Sequence, residues 1–91
     1  MVQFDPDKEL ENKAAHDGLS LAFGAKILAD PHVIEALDDR FNYGEERWNI
    51  LGLVEGRVYA ATYTERGGDE RFISVRGASK KEANTYFRLR G

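Results

Sequence analysis

The stretch Tyr43–Ala78, YGEERWNILGLVEGRVYAATYTERGGDERFISVRGA, decides the fold. Three apolar, β-rich runs are separated by the dipeptides Glu55-Gly56 and Gly67-Gly68. Short β-runs joined by Gly-containing two-residue turns read as consecutive hairpins. The spacing therefore predicts a three-stranded antiparallel meander over about 46–54, 57–66 and 69–76. With two-residue loops at both turns, Trp48, Tyr63 and Phe72 lie side by side. Side chains then alternate between faces with a period of two. One face carries Trp48, Ile50, Tyr59, Ala61, Tyr63, Phe72 and Ser74, with Arg76 toward one end. The other carries Leu51, Leu53, Val58, Ala60, Ile73 and Val75, and becomes polar at its far end through Arg47, Asn49, Thr62, Thr64 and Arg71.

Outward from the meander, the N-terminal side reads as helical. Val2–Phe4 is a short β-like start. Asp5 is placed as an N-cap with Pro6 in the first helical position, which predicts a helix over 6–16 with Leu10 and Ala14 facing in. Asp17-Gly18 ends it. Ser20 caps a second helix, about 21–29, apolar nearly all round and so well buried, which Asp30-Pro31 stops. His32–Asp39 fits either a short strand or a helix opened by Asp30-Pro31. Phe41–Gly44 turns into the meander. Beyond it, Ser79-Lys80-Lys81-Glu82 is a capping box opening a last helix, about 80–89, with Ala83, Tyr86 and Phe87 on its buried stripe. The expectation is a single α+β domain over 1–91: an antiparallel sheet of about four strands, two N-terminal helices on one face and a C-terminal helix near the other.

Composition narrows the function classes. A chain of 91 residues is one small domain whose stability margin is thin, so a permanent partner is in keeping with it. There is no cysteine, which removes disulfide and thiolate chemistry. The apolar runs are far too short to span a membrane and the N-terminus is no signal peptide, so the expected compartment is the cytoplasm. A formal charge of −3 counts against a general nucleic-acid binder, yet the arginines gather late in the chain and a local cluster can act within an acidic whole.

At Phe4-Asp5-Pro6-x-Lys8, Asn12…His16-x-Gly18-Leu19-Ser20 and Asp30-Pro31 the chain resembles the BrnT-type toxins. The likeness strengthens through Gly44-Glu45-Glu46-Arg47-Trp48, Gly52, Tyr63-Thr64-Glu65-Arg66 and Arg71-Phe72-Ile73-Ser74-Val75-Arg76-x-Ala78, and closes at Lys80-Lys81-Glu82 with Tyr86. It covers nearly the whole chain, and its motifs are specific in combination. The resemblance implies a RelE-like fold and a type II toxin–antitoxin toxin: a ribonuclease that arrests translation and is neutralised by a BrnA-type antitoxin, a ribbon-helix-helix protein through which alone the pair meets DNA. Ala15 stands where the family has a lysine. An alternative is a catalytically weak RelE-like binding module that acts through its antitoxin complex in operon autorepression.

Metal-independent RNA cleavage uses the 2′-hydroxyl as nucleophile and needs a base there, positive charge on the phosphorane and an acid at the leaving oxygen. Arginine suits the second role because it stays ionised and makes forked contacts to phosphate. Arg47 and Arg71, flanking Thr64, are the candidate phosphate holders, or else strand-end arginines paired with Glu45, Glu65 or Glu70. Arg76 lies on the opposite face unless a bulge intervenes. His16 is a candidate acid or base, or a support for the helix end. Glu65 is a candidate base, or a partner of Arg66 or Arg76. Tyr63 stacks on a nucleobase or, the stronger reading, packs in the core beside Trp48. Lys80 and Lys81 oppose the dipole at a helix N-terminus, which suits a phosphate or an acidic partner, or they form a solvated face. Asp38-Asp39 and Glu45-Glu46 are acidic pairs whose neighbours point to opposite faces of a strand, so no metal site and no cofactor are expected.

Overall fold

A computed structural model of the chain describes residues 5–16, 18–38 and 44–90. The β-like start at Val2–Phe4 and most of the Phe41–Gly44 turn lie outside them. The elements are α1 (Pro6–Ala15), a 3-10 turn (Leu21–Phe23) running into α2 (Gly24–Leu28), β1 (Ile34–Asp38), β2 (Arg47–Val54), β3 (Arg57–Arg66), β4 (Asp69–Gly77) and α3 (Lys80–Arg90). The strands form one antiparallel sheet in the order β1-β2-β3-β4, so the fold is α+β as expected. Of the ambiguous His32–Asp39 segment, Ile34–Asp38 forms an edge strand antiparallel to β2, and Asp39 lies outside the described residues.

Both hairpin turns are the tight kind. Glu55 and Gly56 have φ of 49° and 82°, and Gly67 and Gly68 have 59° and 86°. Positive φ at both central positions matches the right-handed twist of the strands they join. Trp48 pairs with Tyr63, and Tyr63 with Phe72, as the alternation predicts.

One expectation is corrected on β4. Thr62 pairs with Ser74, yet Tyr63 pairs with Phe72, so Ile73 is an extra residue in the ladder. This β-bulge shifts the alternation beyond it by one. Val75 moves to the Trp48–Tyr63 face, where it is fully buried, while Ser74 and Arg76 move to the face of Arg47, Thr62, Thr64 and Arg71. Packing drives the shift, because strict alternation would put a serine and an arginine on the main core face.

That core face is covered by the 3-10 turn and α2. Leu21 and Ile27 have no exposed surface and pack with Ile50, Ala61, Tyr63, Phe72 and Val75. Gly52 lets α2 approach closely, since a Cβ there would sit 2.6 Å from the Ile27 carbonyl oxygen. Ser20 caps the turn through the Ala22 amide, 3.1 Å away.

The first helix docks differently from the expectation. Leu10 is 68 % exposed and Ala14 is exposed. The docked face of α1 is polar instead. Asn12 is buried and acts on the outer edge of β4 as a short strand would: its Nδ2 donates to the Val75 carbonyl at 2.8 Å, and its Oδ1 accepts from the Val75 amide at 2.9 Å. Glu9 accepts from the Leu21 amide and the Ser20 hydroxyl, at 2.6 and 2.8 Å. Polar groups suit this place because a sheet edge presents unpaired N–H and C=O groups.

On the opposite sheet face lies α3, seated by Tyr86, which is fully buried. Phe87 is 48 % exposed, so the expected buried stripe holds for Tyr86 and not for Phe87, whose ring packs edge-on against Tyr86 beneath Arg90. The capping box forms: the Glu82 amide donates to the Ser79 hydroxyl at 3.1 Å, and the Ser79 amide donates to Glu82 Oε1 at 2.9 Å. The Tyr86 hydroxyl donates to Asp30, which also accepts from the Leu53 amide at 2.8 Å, so one carboxylate joins the end of α2 to β2 and α3. Burial would raise the Asp30 carboxyl, but hydrogen bonds from Tyr86, Leu53 and His32 outweigh it and hold it low.

Candidate functional site

A polar row crosses the α3 face of the sheet at the end away from that helix. Asp38 stands opposite Arg47 in the β1–β2 ladder, and Thr64 opposite Arg71 in the β3–β4 ladder. Since Trp48 pairs with Tyr63, Arg47 and Thr64 are the next residues on the facing strands. With strands about 4.8 Å apart, the backbones of Arg47 and Arg71 are about 10 Å apart, with Thr64 between. The Thr64 hydroxyl, itself buried, donates to the Glu46 carbonyl at 2.7 Å and so fixes the chain leading into Arg47.

The helix start completes the row. Asp5 caps α1 with one carboxylate oxygen, accepting from the Asp7 amide at 2.8 Å, and its other oxygen lies 3.5 Å from an Arg71 nitrogen. Glu45 lies between two cations, 3.5 Å from Arg47 Nε and 3.3 Å from an Arg66 nitrogen. These groups, with Lys8, line a cleft of ≈ 160 Å3. The volume is below the roughly 300–1,000 Å3 of ordinary small-molecule sites, so the cleft suits a single anionic group. Guanidiniums from β2 and β4, the strands on either side of β3, can reach one such anion from both sides.

The candidate residues divide cleanly. Arg47, Thr64 and Arg71 come together. Glu65 is exposed and lines an adjoining cleft with Trp48 and Glu46, sharing only Glu45 and Thr64 with the arginine cleft. Tyr63 is 4 % exposed, and its ring tilts against Phe72 at 5.7 Å, so it belongs to the core. Burial, with Glu35 next to it, pushes its hydroxyl up to about 12, so it stays neutral. His16 caps the other end of α1, about 16 Å along the helix from Asp5.

The bulge brings Arg76 to the same face, but five residues along β4 from Arg71, roughly 13–17 Å away. There it makes a two-pronged ion pair with Glu82, at 2.6 and 2.8 Å. The Arg76 guanidinium holds the Glu82 carboxyl down to about 2, and Glu82 in turn raises Arg76. Lys80 and Lys81 are exposed in the first turn of α3, about 20 Å along β4 from Arg71.

Sequence reasoning gives Asp5 only the role of an N-cap and Glu45 only that of a partner for the strand-end arginines, which the Glu45–Arg47 contact bears out, and it places neither Lys8 nor Asp38 at the site. The signal was present in part: Asp5 reads as an N-cap, and the Asp5-Pro6-x-Lys8 and Gly44-Glu45-Glu46-Arg47 segments carry the family likeness. What the sequence does not show is that α1 starts beside Arg71. Among the described residues there is no cluster of three or more His, Asp or Glu side chains able to hold a metal ion. No helix among them is long and apolar enough to cross a membrane.

Residues 4–82 match the family described as the ribonuclease toxin BrnT of type II toxin–antitoxin systems. No curated protein matches the chain.

Proposed function

We propose, since the chain belongs to the BrnT family of ribonuclease toxins of type II toxin–antitoxin systems, that it cleaves RNA without a metal ion at the Arg47–Thr64–Arg71 row. The observation that carries this reading is the pair of arginines on one sheet face, converging on a cleft sized for one phosphate. Arg47 and Arg71 hold the scissile phosphate and stabilise the charge that builds up as the 2′-oxygen attacks phosphorus. The 5′-oxygen leaves, a 2′,3′-cyclic phosphate forms, and the 5′-oxygen takes a proton from water. Glu45 is the carboxylate within the arginine cleft best set to take the 2′-hydroxyl proton, ahead of Glu65, which lines the adjoining cleft, and of His16, at the other end of α1. Cleavage of this kind arrests translation in the cytoplasm. A BrnA-type ribbon-helix-helix antitoxin neutralises the toxin and carries the pair to DNA.

A second reading has one observation in its favour. Asp5 and Glu45 already pair with the arginines, which leaves the cleft partly self-neutralised. A module of this kind would keep its antitoxin contacts and act in operon autorepression with little catalysis. Cleavage of a structured RNA in EDTA separates the readings, with Arg47→Ala and Arg71→Ala proteins shown folded by circular dichroism. The nuclease reading expects the wild type to cut and each variant to lose at least about 100-fold in kcat/KM, the usual scale for one transition-state contact. An intact RNA in every lane, with added ribosomes as well, removes it.

A further inference from the structure

Beside the arginine cleft, the same sheet face opens into a groove of ≈ 580 Å3 between the strands and α3. Its floor is a second polar row, Asn49, Thr62 and Ser74, one from each of β2, β3 and β4. Each of Asn49 and Thr62 lies two residues along its strand from Arg47 or Thr64, a step of about 6.8 Å. The geometry points to a nucleotide subsite: the groove takes the base and ribose next to the phosphate held by Arg47 and Arg71. This inference rests on the proposed phosphate role of those arginines.

Four features argue for this occupant. The volume fits a small-molecule site, about 300–1,000 Å3, where the arginine cleft does not. The groove is nearly neutral, because its arginine, Arg76, is engaged by Glu82. That balance suits an uncharged base and ribose rather than a second phosphate. The floor also offers directional groups. Thr62 donates its hydroxyl proton to Asn49 Oδ1 at 2.7 Å, which leaves the Asn49 amino group to donate to a groove occupant, alongside the Ser74 hydroxyl. Amide and hydroxyl side chains read the edges of unstacked bases in single-stranded RNA. The walls are apolar, and Leu89 of α3 lines them while 62 % exposed. An apolar wall gives a base a surface to lie against.

The test uses the purified full chain and 2′-O-methyl oligoribonucleotides, whose blocked 2′-oxygen prevents cleavage. One oligonucleotide is complete and its pair lacks the base at one position in the middle. Fluorescence anisotropy reads the affinities. The wild type is expected to prefer the complete strand by about tenfold, the worth of a good hydrogen bond with its apolar contact. Asn49→Ala and Leu89→Ala are expected to bring that preference within about twofold, while Arg71→Ala weakens both strands alike. Leu89 is exposed, so its variant keeps the fold. Equal binding of the two strands by the wild type overturns the subsite. So does an unchanged preference in both groove variants, and if Arg71→Ala still weakens binding the arginine row then stands alone. Loss of antitoxin binding in the groove variants with RNA binding unaltered assigns the groove to the protein partner and overturns the inference. No binding of either strand removes both this subsite and the phosphate row.

Discussion

Glu45→Gln is the substitution that most directly probes the arginine cleft. The Glu45 carboxylate lies 3.5 Å from Arg47 and 3.3 Å from Arg66, so it holds a place that a phosphate would take. Both pairs are partly exposed and carry only about 0.2–1 kcal/mol each. A phosphate that displaces them gives up a sum of about 1 kcal/mol, roughly fivefold in affinity. The amide removes that competition. Binding of a single-stranded 2′-O-methyl RNA should therefore tighten about fivefold at low salt. Freeing one arginine for phosphate should also steepen the dependence of log K on log salt by about 0.7, the increment for one contact on a single strand. An amide cannot take a proton, so turnover of ordinary RNA should fall at the same time by at least about 100-fold. Anisotropy titrations from 50 to 200 mM salt read the first two effects, and single-turnover cleavage reads the third. Tighter binding with slower cleavage is the signature of a base that also competes with substrate. Weaker binding with an unchanged salt slope would refute the competition and make Glu45 a group that positions the arginines. Tighter binding with undiminished cleavage would remove it as the base.

Two further substitutions test how the scaffold is held. Asn12→Ala should cost about 2–4 kcal/mol, because it strands the buried Val75 amide and carbonyl together. That corresponds to a fall in Tm of roughly 10–25 °C for a domain of this size, and a loss below about 1 kcal/mol would mean that water replaces the side chain. The Arg76–Glu82 pair makes stability depend on pH with a definite sign. The folded Glu82 carboxyl is held down to about 2, against an ordinary 4.5, so its contribution is whole above about pH 4.5 and fades as pH falls toward 2. Glu82→Gln should therefore lower the urea midpoint at pH 7 and flatten its pH dependence between those values. An equal loss at pH 2 and pH 7 would show that the ion pair is not the source.

Much of the sheet was legible because its determinants are local. The Glu55-Gly56 and Gly67-Gly68 turns need positive φ at both positions, and their length sets the pairing of Trp48 with Tyr63 and of Tyr63 with Phe72. The caps at Asp5, Ser20 and Ser79 are local in the same sense. The docking of α1 was not legible, because a helix that seats a polar face on a strand edge leaves no apolar stripe to read. Leu10 and Ala14 make a plausible inner stripe, yet Asn12 and Glu9 find better partners at Val75, Ser20 and Leu21. For the same reason half of the arginine row was visible and half was not. Arg47, Thr64 and Arg71 follow from the register of adjacent hairpins, while Asp5 reaches Arg71 across 66 residues of sequence.

The bulge at Ile73 did leave a trace, and it yields a last prediction. Strict alternation would set Ser74 and Arg76 on the face of Trp48 and Tyr63, two polar groups on a surface that α2 covers, and would turn Val75 away from it. Phe72 and Val75 are both fully buried on that face although they are three residues apart, which an unbroken strand forbids. One extra residue resolves the conflict, and it also sends Ser74 and Arg76 to the groove. Deletion of Ile73 should then return β4 to a regular ladder with every other side chain on its present face. The protein should fold, at a cost of about 1–3 kcal/mol for the lost side chain. Deletion of Thr62 from the partner strand has the opposite character: it inverts the remainder of β3 and should abolish the cooperative transition. A bulge also bends the strand and re-aims its neighbours, so the folded Ile73 deletion should bind single-stranded RNA more weakly as Arg71 turns from Arg47. Thermal melts by circular dichroism and anisotropy titrations decide the matter. A protein unfolded as fully by loss of Ile73 as by loss of Thr62 would mean that the bulge is required for the fold itself. A folded deletion with RNA affinity intact would mean that the bulge plays no part in aiming Arg71.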